Sequence, residues 1–190
     1  MKTTKLLLIP AIALLTIVGC KSKKKTVAQT TGAVEITLPF SSKEYRSDEN
    51  FYRAKNVGKS PDLAASKKIA MQNATNELAD AIQTMIKKVT DQYTNQRTVG
   101  KDQEYENKFE ELARQVTNQT MSNIRVKDEK TFLEPDGRYT YWVALEAAKD
   151  EVFKNMDTKI SNDAKLKLDY DKQKFQNIFD AEMKKLASEQ

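Results

Sequence analysis

The chain has 190 residues, 39% of them hydrophobic and 31% charged, with a formal net charge of +5, a balance that suits one soluble, helix-rich domain and excludes a disordered tail or a membrane bundle. There is no histidine, which excludes a Ser-His-Asp triad, a Cys-His pair and imidazole metal sites. Cys20 is the only cysteine, so no intramolecular disulfide can form.

Residues 1–19 read as a cleavable export signal: Lys2 and Lys5 precede an apolar run from Leu6 to Val18, and Gly19 and Cys20 follow. A helix that spans a bilayer needs about 20 apolar residues, so this run is too short for an anchor. Ile17-Val18-Gly19-Cys20 resembles the lipobox of bacterial lipoproteins, in which an aliphatic residue, a small residue and Gly or Ala precede an invariant Cys. Ile17 and Val18 depart from the commoner Leu and Ala or Ser. The resemblance implies cleavage before Cys20, a diacylglyceryl group on its sulfur and a further acyl chain on the new amino terminus. One acyl chain binds a membrane only marginally, at about 0.8 kcal/mol per buried methylene, whereas two hold it stably. Beyond this covalent lipid no cofactor and no metal is expected.

Subtracting Lys2 and Lys5 from +5 leaves +3 on the mature chain. Much of the excess lies in Lys21, Lys23, Lys24 and Lys25 beside the lipid, so the charge does not point to nucleic acid. These lysines either rest on anionic headgroups, at about 1 kcal/mol each, or form a solvated linker. Lys21 is not the Asp that resembles an inner-membrane retention signal in Gram-negative cells. The expected address is the cell envelope, at the outer membrane facing the periplasm.

Residues 20–44 read as a tether, polar and without periodicity until the short apolar patch Ile36-Thr37-Leu38-Pro39-Phe40, which is free to dock on the domain. That domain is expected over 45–156. It opens with a strand near Phe51–Lys59, with Phe51, the Arg53 stem and Val57 as its apolar positions. Ser60 is then placed to cap a helix, with Pro61 at its first position and Asp62 at its positive end. Ile69 or Ala70, then Ala74, Leu78, Ala79, Ile82, Ile86, Val89 and Tyr93 recur at three- and four-residue steps and predict a long helix with one apolar stripe. Ala64, Ala65, Ala70, Ala74 and Ala79 keep one side of it narrow, so that a sheet can approach.

The pattern lapses from Asn95 to Gln103, around Gly100. A second stripe, Phe109, Leu112, Ala113, Val116 and Thr120, predicts a second helix. Ile124, Val126 and Phe132 then alternate with Arg125, Lys127, Glu129 and Thr131, and Glu134-Pro135-Asp136-Gly137 is a turn signal that closes a hairpin. Its second arm puts Tyr139, Tyr141, Val143 and Leu145 on one face and Thr140, Trp142, Ala144 and Glu146 on the other. Residues 157–190 read as a long carboxyl-terminal helix, with a break near 157–162 where Ser161 caps it. The stripe of Ile160, Ala164, Leu168, Phe175, Ile178, Phe179, Met183 and Leu186 outruns the sheet, so it lies along the first helix or meets another chain.

Gly58-Lys59-Ser60, Ala64-Ala65, Lys68, Ala70, Asn73-Ala74 and Glu77-Leu78-Ala79, followed by the hairpin arm Tyr139-Thr140-Tyr141-Trp142-Val143-Ala144-Leu145, resemble the Lpp-twenty family of outer-membrane lipoproteins. The likeness covers roughly residues 51–153. It implies an α+β fold, with a small antiparallel sheet packed on a long helix. It implies no catalytic residues and a structural or interactive role, since similar modules occur in envelope assembly proteins, including one needed for flagellar rings.

Chemistry is scarce elsewhere. The five glycines are scattered and form no phosphate loop. Asp48 with Glu49, Glu110 with Glu111 and Asp150 with Glu151 are the acidic doublets, but neighbours on a helix point about 100° apart and do not face one another. The expected function is that of a lipid-anchored, non-catalytic binding or assembly module. Its partner is the membrane through the lipid, together with an unknown envelope protein or a second copy. Candidate contact residues are Trp142, Phe175 and Phe179; Trp142 is otherwise a residue covered by the last helix. The alternative is a carboxylate-dependent envelope hydrolase, which needs acids from separate elements in one concavity.

Overall fold

Strand β3 (Tyr139–Ala148) lies at the centre of a three-stranded antiparallel sheet, between the edge strands β1 (Phe51–Ser60) and β2 (Arg125–Leu133). The computed structural model describes residues 33–96 and 103–189. Residues up to Ile36 belong to a separate amino-terminal unit, and Thr37 begins the unit that contains the sheet. This unit has the expected α+β fold, with helices α1 (Leu63–Asn95), α2 (Gln103–Met121), α3 (Lys149–Asn162) and α4 (Lys172–Glu189).

The Asp62 side chain accepts a 2.7 Å hydrogen bond from the Ala65 amide and so caps α1 in place of the expected Ser60. Ser60 instead accepts from the Asp62 amide and shapes the approach, with Pro61 outside the helix. The 33 residues of α1 span about 50 Å at 1.5 Å each, longer than a ten-residue strand. Its first half therefore covers the sheet and its second half runs on to meet α2 and α4. Ala70 and Ala74 are buried as expected, along with Ser66. Ala64 is exposed, and Ala65 and Ala79 are only partly buried.

Gly58 is where β1 and α1 come closest. A Cβ there would lie 2.1 Å from the Ser66 carbonyl oxygen and 2.6 Å from the Ala70 nitrogen, both backbone atoms. Small residues on the helix and a missing side chain on the strand together permit the contact.

On β3, Tyr141, Val143, Leu145 and Ala147 join the core under α1, and the alternate residues face the other way. On β1 the core residues are the even ones, Tyr52 and Ala54, paired with Ala147 and Leu145. The odd residues Phe51, Arg53 and Val57, expected as the apolar set, occupy the opposite face. The turn forms as read: the Gly137 amide donates to the Glu134 carbonyl at 2.9 Å, and Gly137 takes a φ of +80°.

Strand β2 departs from simple alternation. Val126 pairs with Leu145 and Asp128 with Ala144, so Lys127 is an extra residue in a β-bulge. The bulge reverses the faces, and Val126 lies on the helix side while Phe132, opposite Thr140, lies on the other. Both are about half exposed, Val126 on the helix side and Phe132 on the open side of an edge strand.

The carboxyl-terminal part is two helices, not one. Helix α3 continues through residue 157 to Asn162, so the expected boundary at 157 falls inside it. The chain then reverses through a 3-10 turn at Leu166–Asp169. The Asp163 carboxylate accepts from the Lys165 and Leu166 amides, and the Tyr93 hydroxyl donates to the Asp169 carbonyl while accepting from the Asp171 amide. The reversal breaks the expected stripe. Leu168 is exposed, and Leu166, two residues earlier, is fully buried. Helix α4 returns along α1, with Phe175 5.2 Å from Tyr93 in an edge arrangement.

Candidate functional site

Ile17, Val18, Gly19, Cys20 and the lysines that follow lie outside the described residues. Among the described residues no helix is long and apolar enough to cross a membrane.

Within the folded unit the face of the sheet turned away from α1 is covered at one end by residues 38–48, so the expected tether of 20–44 ends earlier than its sequence suggests. Phe40 is buried, and beneath this segment Ala144, on the same face, is only 1% exposed. The two stand apart from the main core. Phe40 has a φ of +61°, a left-handed conformation rare for a bulky residue, and its carbonyl accepts a 2.6 Å hydrogen bond from the Lys55 ammonium. Its ring packs on Tyr45 at 4.7 Å, and the Lys130 ammonium lies 5.4 Å from its centre.

The far end of this strap is fixed to β1. The Arg53 guanidinium, almost fully covered, donates to the Arg46 carbonyl and the Asp48 and Glu146 carboxylates at 2.7, 2.5 and 3.1 Å. Burial alone would raise the Asp48 carboxyl, but hydrogen bonds from Arg53 and the Asn50 and Phe51 amides outweigh it and hold the group below its usual range. Tyr45 ties the strap to β2 through Asp128, whose carboxyl this hydrogen bond also lowers.

Trp142 lies on this open face, half-buried between its cross-strand partners Val57 and Lys130. It is not covered by the last helix, because α4 packs on α1 and α3. Phe132 shares the face. Phe175 and Phe179 are placed differently from the expectation. Both are completely buried, Phe175 against Tyr93 and Phe179 against Phe153 at 5.5 Å, so they offer no surface to a partner. The folding-back of α4 onto α1 consumes the stripe that would otherwise have been free.

A second concavity, of about 640 Å³, lies between α1 and α2. Lys87 and Asp91 of α1 and Glu106, Glu110 and Arg114 of α2 line it, above Phe109. Charges of both signs suit a polar ligand, and the volume falls in the range of small-molecule sites. The acidic doublets do not converge: Asp48 is paired with Arg53, and Glu151 accepts from Asn123 at the end of α2. Glu110 lines the groove and Glu111 does not. Of the strap, only the docking of the apolar patch that ends at Phe40 is legible in the sequence; its reach to Asp48 and this groove are not. Phe40 beside Pro39 is the one signal for the strap, and nothing local marks the groove, which exists only where two helices meet.

Neither the protein-family models nor the curated proteins compared with the chain match it.

Proposed function

We propose that the chain is an envelope lipoprotein, exported, cleaved before Cys20 and held by lipid at the outer membrane facing the periplasm. Its α+β unit acts there as a non-catalytic binding or assembly module. One observation carries the reading: the only cysteine of the chain closes a basic and apolar leader within Ile17-Val18-Gly19-Cys20. An exported thiol with no partner would be a reactive liability, and acylation removes it. The observed α+β fold agrees with what the Lpp-twenty resemblance implies, and the same interactive role is proposed for this domain. With Phe175 and Phe179 buried, Trp142 is the one of the three expected contact residues that keeps exposed surface.

Fractionation of cells producing the full chain or its Cys20→Ala variant tests this. The wild type should be found processed in outer-membrane fractions, and the variant unprocessed or mislocalised; identical processing and location would refute lipid attachment.

A carboxylate-dependent envelope hydrolase is the second reading. It is favoured by Asp91 on one helix and Glu106 and Glu110 on another lining one groove. Incubating the protein with purified peptidoglycan decides it: release of soluble fragments that Asp91→Asn or Glu110→Gln abolishes would support it, and no release by the wild type would remove it.

A further inference from the structure

We infer that the open face of the sheet, centred on Trp142, rests on an anionic phospholipid bilayer surface. The inference builds on the lipid-anchor reading. Trp142 and Phe132 are large amphipathic or apolar rings on this face, with Val57 of β1 directly opposite Trp142. Lys59, 4.0 Å from the exposed Asp136, and Lys130 project from the same face around them, while the Lys55 ammonium is taken up by the Phe40 carbonyl. An aromatic ring flanked by long, flexible ammonium groups is the chemistry of a membrane interface: the rings enter the headgroup layer and the lysines meet phosphates. Among the carboxylates of that face, Asp128 is occupied by Tyr45 and Glu146 by Arg53 and Lys127, which reduces their repulsion of an anionic surface.

The chain's own path selects lipid over protein as the occupant. The strap at 38–48 lies on this face, so the polypeptide coming from Cys20 joins the folded unit on this side. Nineteen residues, 21–39, separate Cys20 from Phe40. Fully extended, a segment of that length reaches at most about 65 Å, which keeps the face tethered near the bilayer. A weak surface contact is then well populated. A protein partner would have to insert between the domain and the membrane that holds it.

Trp142 is the only tryptophan, so its fluorescence reports on this face alone. The processed protein, purified from membranes, is reconstituted into vesicles of phosphatidylethanolamine with phosphatidylglycerol and floated. Expected are co-flotation, a blue-shifted emission that loses most of its quenching by acrylamide, and strong quenching by brominated phosphatidylglycerol. The double variant Lys59→Glu, Lys130→Glu should float equally and lose the bromine quenching. Co-flotation with Trp142 open to acrylamide and unaffected by bromine overturns the inference and leaves the anchor intact. Shielding from both quenchers overturns it in favour of a protein occupant, the chain's own segment or a second copy. Absence of flotation removes the lipid on Cys20, and the inference with it.

Discussion

Tyr45 reaches across the open sheet face to donate a 2.6 Å hydrogen bond to Asp128, 83 residues further along the chain. That single contact joins the strap to the strand at the far edge of the sheet. The accepting carboxylate, with burial second, pushes the Tyr45 hydroxyl from its ordinary 10.0 up to about 12. The neutral phenol is thus the form the fold holds. Its contribution is complete below pH 10.0, the value of the unfolded chain, and is lost as pH rises toward 12. The difference in tyrosinate absorbance between wild type and Tyr45→Phe should titrate near 12, and a midpoint at the ordinary value would show the tie to be absent. At neutral pH the same variant should be cleaved faster by trypsin at Lys43 and Arg46, with little change in the unfolding temperature.

Gly58→Ala should be among the most damaging changes of a single methyl group. The added carbon meets backbone atoms of Ser66 and Ala70 that cannot rotate away, so α1 must lift from β1. Overpacking of this kind costs about 1–3 kcal/mol or somewhat more. Chemical denaturation should show a lowered midpoint, and an unchanged midpoint would mean that helix and strand are further apart than described.

Phe175→Ala should destabilise the whole unit by about 3–5 kcal/mol, the usual cost of emptying a buried aromatic site. That is a large part of a typical domain's stability. Truncation after residue 156 would remove Ile160, Leu166, Phe175, Phe179 and Met183 from the core, and should leave a chain that fails to fold cooperatively. A truncated chain that unfolds with the wild-type midpoint would restore α4 to the role of a free contact helix.

Tyr52→Phe should act in the opposite direction. The Tyr52 ring is completely buried and its hydroxyl finds no hydrogen-bond partner among the described residues. An unsatisfied buried hydroxyl costs about 1–3 kcal/mol, and the variant should recover much of this as a higher denaturation midpoint. A lower midpoint would reveal a bonded partner for the hydroxyl.

How much of the structure is legible in the chain depends on the range of each interaction. The stripe on α1, the faces of β3 and the Glu134–Gly137 turn rest on local periodicity and turn chemistry, and the structure has each as expected. Asp62 displaces Ser60 as the cap because both can accept the hydrogen bond, but β1 runs on to Ser60 and α1 starts only at Leu63. The bulge at Lys127 is invisible to period counting: Val126 and Phe132 are an even number of residues apart, yet lie on opposite faces. Phe175 and Phe179 read as a spare apolar stripe because the reversal that lays α4 on α1 depends on Tyr93, more than 70 residues earlier. Alternation along β3 puts Trp142 on the face opposite Tyr141, as the structure does, but its freedom from α4 is a tertiary fact.

The most direct test of the central claim is the intact mass of the protein extracted from membranes with detergent. The account predicts a polypeptide beginning at Cys20, heavier than residues 20–190 alone by a diacylglyceryl group and one further acyl chain. A chain that retains residues 1–19, or an unmodified Cys20 at the amino terminus, would contradict it.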